Sequence, residues 1–414
     1  MQTRISEQYR AVAGIEEAEA VLRNCVHCGF CNATCPTYNL LGDELDGPRG
    51  RIYLLKQVVE GERPGRTTMR HLDRCLTCRA CETTCPSGVH YTRLLDTGRE
   101  LVERSVRRPP IQRVMRWLLR KILPYPRRFS LLLGLARSLR WLLPRGLAAQ
   151  LPAVDGSPGP RTRMPGADGK RKVLLLDGCV QSVVARQTNA AAASVLRKLG
   201  VEALSSQDEG CCGAVSYHLS AHDEALSFVR RNIDAWWVLV QQHGIEAIIS
   251  SASGCGVMLK DYAYLLRHDR DYADKARQLV ALVKDLGEFI SKLVLQEQRN
   301  DLFSGQARNR RLAFHSPCTL QHGQRLNGVV EAILEAAGFV LGHVQDAHLC
   351  CGSAGTYSIL QHGLSAQLLE RKLSALQESV PELIVTANIG CQMHLASRAQ
   401  VPVRHWIEVV DEVL

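Results

Sequence analysis

The chain has 414 residues, of which 46% are hydrophobic and 22% charged, and its formal net charge is +10. This composition is typical of a folded protein, which excludes a disordered chain, and the length predicts two or three domains. The N-terminus has no apolar stretch of the kind that a signal peptide needs, and no apolar run reaches the ~18 residues of a membrane-spanning helix. We therefore expect a cytoplasmic protein whose 16 cysteines are reduced rather than paired in disulfides.

The first region, residues 1–103, contains two copies of the spacing C-x2-C-x2-C-x3-C-P. Short segments with helical patterns, such as "GPRGRIYLLKQVVEG", separate the copies. This spacing is that of bacterial ferredoxins, because two-residue steps let three thiolates on one tight loop reach three irons of a cubane. The pattern predicts two [4Fe-4S] clusters in an α-helical, ferredoxin-type domain. The eight predicted ligands are Cys25, Cys28, Cys31, Cys35, Cys75, Cys78, Cys81 and Cys85.

The ferredoxin rule assigns the fourth cysteine of each copy to the other cluster. It predicts that the first cluster is held by Cys25, Cys28, Cys31 and Cys85. The second cluster is then held by Cys35, Cys75, Cys78 and Cys81. Zinc is the weaker interpretation, because zinc sites pair two C-x2-C halves across a longer loop and need neither the third cysteine nor the C-x3-C-P ending.

The second region, residues 104–150, is basic. From Arg104 to Arg145 it has twelve arginines and lysines and no acidic residue. Helical periodicity places Arg113, Arg116 and Arg120 on one face, and the opposite face carries Ile111, Val114, Met115, Leu118, Leu119 and Ile122. Two interpretations remain open: contact of residues 111–143 with the cytoplasmic face of the inner membrane, or packing of the apolar face on the protein's own core or a partner subunit. No nucleic-acid partner is expected, since aromatic residues are only 5% of the chain and no reader motif is present.

Residues 151–172, with four prolines and four glycines, predict a linker, and an internal repeat follows it. "KVLLLDGCV" is echoed by "RLAFHSPCT", and "DEGCCGAVSYHLS" by "AHLCCGSAGTYSI". Apolar runs rich in β-formers alternate with helical stretches in both halves. This alternation predicts two α/β domains with parallel sheets, at residues 173–300 and 310–414. The expected fold is therefore multidomain α+β: a helical two-cluster module followed by two repeated α/β domains.

In each repeat, 31 residues separate the first cysteine from a Cys-Cys-Gly triplet. The pattern resembles the cysteine-rich CCG domain of heterodisulfide reductase subunits, in which five cysteines ending in C-x2-C can bind a noncubane [4Fe-4S] cluster. Here Ala252 and Asn388 replace the penultimate cysteine. Each repeat thus supplies four candidate ligands, Cys179, Cys211, Cys212 and Cys255 in the first and Cys318, Cys350, Cys351 and Cys391 in the second. A further iron–sulfur cluster and a docking scaffold with structural cysteines both remain open.

The combination of modules resembles the iron–sulfur subunits of glycolate oxidases over essentially the whole chain. The resemblance is carried by stretches such as "CVHCGFCNATCPTYNLLGDELDGPRGRIYLLKQV", "HLDRCLTCRACETTCPSGV", "NIDAWW", "FHSPCTLQH" and "TANIGCQ". It implies that FAD resides only on partner flavoprotein subunits, which oxidise glycolate to glyoxylate. Electrons would then pass singly through the clusters to a respiratory acceptor such as quinone.

The residues themselves agree with a chain that has no catalytic group of its own. No G-x-G-x-x-G fingerprint follows a predicted strand, and no Ser/His/Asp set is apparent. A cluster carrier without a hydride acceptor needs a flavoprotein partner. The alternatives are the iron–sulfur subunit of a lactate or glycerol-3-phosphate dehydrogenase, a heterodisulfide-reductase-like thiol redox protein, and a purely structural assembly subunit.

Overall fold

The computed structural model describes residues 1–139, 141, 171–296, 303 and 309–414. Most of the predicted linker and the end of the basic region, 142–150, lie outside the described residues, as do 297–300 of the first repeat. Within the described part, the chain forms a helical N-terminal domain, a helical hairpin and two α/β domains with parallel sheets. The predicted multidomain fold is confirmed.

The N-terminal domain is built on three helices whose buried faces meet in one core. Helices α1 (Ile15–Asn24), α4 (Pro48–Val59) and α7 (Tyr91–Ser105) bury Leu22, Leu55 and Leu95 between them. The cysteine loops lie between this core and four short helices, α2 (Phe30–Ala33), α3 (Pro36–Leu41), α5 (Arg66–Asp73) and α6 (Ala80–Thr84). Single 3₁₀ turns occur at Glu7–Tyr9 and Glu44–Asp46.

The basic region forms a hairpin of α8 (Pro110–Ile122) and α9 (Pro126–Ser138). Of the interpretations left open, packing of the apolar face on the protein's own core does not hold for most of α8: Ile111 is 80% exposed and Trp117 51%, and Leu119 is buried. Two arginines of the basic face point to other segments instead, because Arg116 pairs with Asp73 and Arg120 with Glu224, whereas Arg113 is exposed. None of the described helices is long and apolar enough to cross a membrane.

The first α/β domain has a four-stranded parallel sheet with the strand order β2-β1-β3-β4. The strands are β1 (Arg171–Leu175), β2 (Val201–Leu204), β3 (Ala247–Ser250) and β4 (Val283–Asp285). Because Arg171 pairs with Val201 and Lys172 with Glu202, the last two residues of the predicted linker belong to the sheet. The helices are Gln181–Val184, Arg186–Lys198, Ala214–His218, His222–His243, Ser253–Lys260, Tyr262–Leu265, Ala273–Leu282 and Leu286–Ser291, followed by a π-helical turn at Lys292–Gln296.

The second α/β domain repeats this topology, with the parallel order β6-β5-β7-β8. Its strands are β5 (Arg311–His315), β6 (Val340–Leu341), β7 (Leu383–Thr386) and β8 (Val403–His405). Its helices are Val329–Ala336, Tyr357–Leu360, His362–Gln377, Ile389–Ala396 and Trp406–Val413, with a π-helical turn at Thr319–Gly323.

The two α/β domains share one hydrophobic core, in which the last helix packs on Arg186–Lys198 of the first domain. Polar contacts fix the N-terminal domain to this pair: Asp261 accepts hydrogen bonds from Arg79 and Arg93, at 2.6 and 2.7 Å. Leu76, next to a predicted ligand, is buried against Cys318 and Cys350. The fold therefore places the second cysteine loop of the N-terminal domain directly beside cysteines of the second repeat.

Candidate functional site

The two C-x2-C-x2-C loops share one backbone conformation. The residue before the second cysteine is left-handed in both copies, His27 with φ 59° and Thr77 with φ 53°. The residue after that cysteine is left-handed too, Gly29 with φ 88° and Arg79 with φ 61°. Left-handed residues curl a chain tightly, and outside glycine they are uncommon enough to indicate a constrained loop. The conformation does not depend on glycine, since three of the four left-handed positions carry a side chain.

The first group of cysteines consists of Cys25, Cys28, Cys31 and Cys85, which line one cavity. Cys28 is exposed, so this group lies at the protein surface. Burial raises the pKa of the Cys31 thiol to about 11, and the nearby thiols of Cys25, Cys28 and Cys85 contribute to the rise. The structure therefore brings together the four residues that the interleaved assignment groups.

The second group, Cys35, Cys75, Cys78 and Cys81, lines a second cavity. Burial raises the pKa of Cys78 and Cys81 well above its ordinary value, and the other thiols of the group raise it further. Thr34, beside Cys35, hydrogen-bonds through its hydroxyl to the carbonyl oxygens of Cys31 and Ala80. This contact ties the two cysteine loops together across the pseudo-repeat.

A buried arginine lies beside the second group. Arg51 is 1% exposed; its Nη1 lies 4.0 Å from Cys35 Sγ, and its Nε donates to the His71 carbonyl oxygen at 2.8 Å. Burial opposes its charge, but Cys75, Tyr91, Cys35 and Asp46 hold its pKa above the usual range. A buried guanidinium stabilises negative charge nearby, so this site is arranged to hold an anionic group.

The chemistry of these two groups fits iron–sulfur clusters. Thiolates are the ligands of such clusters, and each cavity is lined by the four cysteines of its group, with Cys81 lining both cavities. Because burial and mutual repulsion raise the pKa of several of these thiols, their ionised forms require a cationic partner, which the iron ions supply. We expect four iron positions within each group.

The four cysteines of each repeat also come together. In the first repeat the side chains of Cys179, Cys211, Cys212 and Cys255 form a chain of neighbours, since Cys211 contacts Cys179 and Cys212 contacts Cys255. The second repeat has the same chain from Cys318 through Cys350 and Cys351 to Cys391. The structure thus assembles both sets of four cysteines.

The glycine of each Cys-Cys-Gly triplet has a steric role. Gly213 and Gly352 both have φ 89°. A Cβ at Gly352 would lie 2.7 Å from the Ser365 carbonyl oxygen, which is closer than any real Cβ contact. Glycine therefore lets the cysteine pair approach the following helix.

A cavity of about 790 Å³ lies between the repeats and is lined by cysteines of both. Cys78 of the second N-terminal group also lines it, and Phe129 and Leu133 of α9 close one side. Its remaining walls include Leu176, Trp236, Ile359 and Met393. The second group, both repeats and the hairpin thus meet at one largely apolar cavity.

Sequence reasoning missed the buried cations near these cysteines. Lys372, only 3% exposed, donates from Nζ to the carbonyl oxygens of Asp346 and Ala347, at 2.8 and 3.4 Å. Burial lowers the pKa of Lys372, and the thiols of Cys318, Cys351 and Cys350 act in the opposite direction. No local pattern marks Lys372 or Arg51, because each lies within an ordinary helical segment.

Two family profiles match the chain. The 4Fe-4S dicluster domain matches residues 21–89, and the cysteine-rich domain of the CCG type matches residues 173–260 and 312–396. The chain therefore has a dicluster iron–sulfur domain followed by two CCG domains, and the prediction of iron–sulfur cofactors is confirmed. The first match contains all eight N-terminal cysteines, and the other two contain the four cysteines of each repeat.

Full-length relatives extend these matches. The chain is 52% identical over 416 residues to the glycolate oxidase iron-sulfur subunit of Escherichia coli (strain K12), covering 100% of this chain and 99% of the relative. It is 30% identical over 402 residues to the probable glycolate oxidase iron-sulfur subunit of Bacillus subtilis (strain 168), covering 91% of this chain and 89% of the relative. Lactate utilization protein A of Bacillus subtilis is 26% identical over 249 residues, which is 58% of this chain and 99% of that protein.

A solved structure shares the fold. A hypothetical protein from Helicobacter pylori aligns with a TM-score of 0.55 at 9% identity, covering 98% of this chain and 73% of that one. At this identity the likeness concerns the fold alone.

Proposed function

The chain belongs to the family of glycolate oxidase iron–sulfur subunits, and we propose on that premise that it accepts electrons from a partner flavoprotein that oxidises glycolate to glyoxylate. The chain is an electron-transfer subunit of an oxidoreductase. When bound, [4Fe-4S] clusters each accept and release one electron, so a pair of them divides a two-electron oxidation into single steps. The FAD that performs the oxidation resides on partner subunits.

One observation carries the direction of transfer: the two cysteine groups lead from the surface to the central cavity. Around the first group Cys28 is exposed, and the neighbouring Val26 and Phe30 are 67% and 62% exposed. An exposed apolar patch is a common feature of protein–protein interfaces. We propose that the flavoprotein docks here and that electrons enter through the group Cys25, Cys28, Cys31 and Cys85.

The second group provides the exit. Cys78 lines the central cavity, where the Cys318 thiol contributes to the raised pKa of Cys78, and Cys78 contributes to the raised pKa of Cys350. Arg51 and the polar contacts around it hold the second group in place on the inner side. We propose that electrons leave through Cys35, Cys75, Cys78 and Cys81 toward the cavity between the CCG domains.

The acceptor is proposed to be a quinone, reached from the membrane surface. The hairpin exposes Trp117 and Leu131, and Arg113 and Arg127 are exposed beside them. An apolar face with tryptophan and flanking arginines suits the boundary of an anionic bilayer. The inner side of α9 lines the largely apolar cavity, so the hairpin connects the proposed membrane face to the proposed exit.

The ligand assignment is tested by comparing spectra of single Cys→Ser variants. We expect the reduced EPR spectrum of Cys35→Ser to lose the same signal as Cys75→Ser, and Cys31→Ser to match Cys25→Ser. Iron and sulfide in each variant should fall by about half relative to the parent, because one of two N-terminal clusters is damaged. If Cys35→Ser matched Cys31→Ser instead, the ligands would not interleave.

The substrate is tested in cell extracts from which this chain is deleted. Glycolate-dependent reduction of a soluble quinone should disappear, and reduction driven by D-lactate or glycerol-3-phosphate should be unaffected. Restoring the full-length chain should restore the glycolate activity. Unchanged glycolate oxidation, or loss of the lactate activity alone, would refute glycolate as the substrate.

Membrane contact is tested by flotation of the purified protein with vesicles that contain anionic lipid. The double variant Trp117→Gln, Leu131→Gln should lose flotation, because it removes two exposed apolar side chains from the hairpin. The matched control is Val380→Gln, since Val380 is 75% exposed but lies on the second CCG domain. Equal flotation of the two variants, or none by the parent, would contradict the proposal.

A further inference from the structure

His315, the last residue of β5, is a buried histidine whose ring has no partner in the described structure. It is 2% exposed, and neither Nδ1 nor Nε2 makes a hydrogen bond. Buried ring nitrogens are nearly always satisfied, because leaving them unpaired after removal from water is costly. Since His315 also lines the central cavity, we expect its ring nitrogens to bind a ligand there.

Two cysteines complete a compact set with this histidine. One ring nitrogen of His315 and the Sγ atoms of Cys351 and Cys391 all lie within 4.8 Å of one another. Among the described residues, the other group this compact is Asp43, Asp46 and His71, whose central carboxylate is already neutralised by arginines. No three sulfurs of the N-terminal groups are so close.

This difference in spacing distinguishes a single ion from a cluster. Zinc binds sulfur at ~2.3 Å and histidine nitrogen at ~2.0–2.1 Å, so ligands at tetrahedral angles lie about 3.3–3.8 Å apart. Ligands of a four-iron cubane each bind a different iron, and therefore stand farther apart, as the eight N-terminal cysteines do. Atoms that all lie within 4.8 Å of one another reach these distances after small side-chain movements, so the compact set suits a mononuclear site.

We propose that His315, Cys351 and Cys391 bind a single divalent ion of the zinc class, with the remaining coordination position facing the central cavity. His315 and Cys391 both line that cavity. Two thiolates neutralise a divalent ion, which makes the set suitable for a buried position. Asn388 orients one ligand, because its Nδ2 donates to Cys391 Sγ at 3.5 Å and its Oδ1 accepts from the Gly254 backbone N–H at 3.2 Å.

The first CCG domain lacks the nitrogen ligand. Three residues before the first cysteine of each repeat, Leu176 occupies the place that His315 has in the second. Leu176 is 8% exposed and packs in the apolar core of its own domain. The same fold therefore accepts leucine at this position, so His315→Leu is a variant that we expect to fold.

The test measures metal in the full-length chain, purified anaerobically from cells grown with added zinc. We expect one zinc per chain in addition to the iron, and zinc-edge X-ray absorption should show nitrogen as well as sulfur ligands. His315→Leu should lower the affinity for Zn²⁺ at least tenfold, since losing even an outer-shell partner of a metal ligand costs about 10–100-fold. His315→Cys should retain the zinc and show sulfur ligands only.

The matched control is His394→Ala, because His394 also lines the cavity but its Nε2 already has Ser365 Oγ as a partner at 3.0 Å. We expect this variant to keep its zinc. Iron content and the visible spectrum of the N-terminal clusters report folding in every variant. If His315→Leu does not fold, Co²⁺ titration of His315→Cys replaces it as the test of metal binding at this site. Absence of zinc from the parent, ligation by sulfur alone, or full zinc retention in His315→Leu would overturn the inference. Because none of these readouts involves glycolate or electron transfer, they are independent of the proposed function.

Discussion

Replacing Arg51 by methionine should lower the reduction potential of the cluster that we assign to Cys35, Cys75, Cys78 and Cys81. Arg51 is 1% exposed, and its guanidinium lies 4.0 Å from Cys35 Sγ. Reduction adds a negative charge to the cluster, and a nearby buried cation favours that charge. Methionine preserves much of the side-chain volume and removes the cation, so the reduced form should become less favourable.

The size of the shift follows from Coulomb's law. With an effective dielectric constant of about 20, unit charges about 4 Å apart interact by about 4 kcal/mol, and at about 12 Å by about 1.4 kcal/mol. For a one-electron couple, about 59 mV corresponds to a tenfold change in equilibrium, or about 1.4 kcal/mol. Because the added electron is spread over the cluster, the shift should lie between about 60 and 170 mV.

The assay is an anaerobic redox titration followed by EPR, in which the two clusters are distinguished by the spectra of the Cys→Ser variants. Arg49→Met is the control, because Arg49 lines the cavity of the first group and its guanidinium pairs with Glu44. We expect Arg51→Met to lower only the second potential and Arg49→Met to leave that potential unchanged. If the second potential rose, stayed constant, or moved together with the first, Arg51 would not act as a local cation on this cluster.

Three further substitutions test the packing and the charges. Gly98→Ala should destabilise the N-terminal domain by about 1–3 kcal/mol in urea unfolding, because the new Cβ would lie 2.1 Å from a methyl carbon of the fully buried Leu55. Unchanged stability would show that α4 and α7 can move apart to make room for the methyl group. Burial raises the pKa of Asp285 to about 6 from 3.8, so the folded protein holds this proton more tightly than the unfolded chain does. The free energy of unfolding therefore falls as the pH rises through 6. Thermal unfolding should show a loss of about 1 kcal/mol between pH 5 and pH 7 that Asp285→Asn abolishes, and an equal slope in that variant would contradict the assignment. Lys372→Met should cost about 1–3 kcal/mol, because the Asp346 carbonyl oxygen loses a charged donor at 2.8 Å. A smaller loss in urea unfolding would mean that water replaces the amine.

The sequence determined the features that depend on neighbouring residues. Cysteine spacing and the following proline specified the two cluster loops, because a loop of this length has few conformations that converge three thiols. The alternation of apolar and helical segments, repeated with the cysteines in step, predicted two parallel α/β domains, and the structure has them. These signals are local, and the fold adds little to them.

Tertiary structure decided what lies around the cysteines, because those contacts join residues far apart in the chain. Arg51 and Lys372 look like surface residues of ordinary helices, and only packing buries them beside thiols. The orientation of α8 leaves most of its apolar face exposed, since Arg116 and Arg120 meet Asp73 and Glu224 from other segments. The proximity of His315 to Cys351 and Cys391 likewise requires β5 to end beside a distant loop and a distant helix, a placement that a parallel sheet creates and that no stretch of sequence encodes on its own.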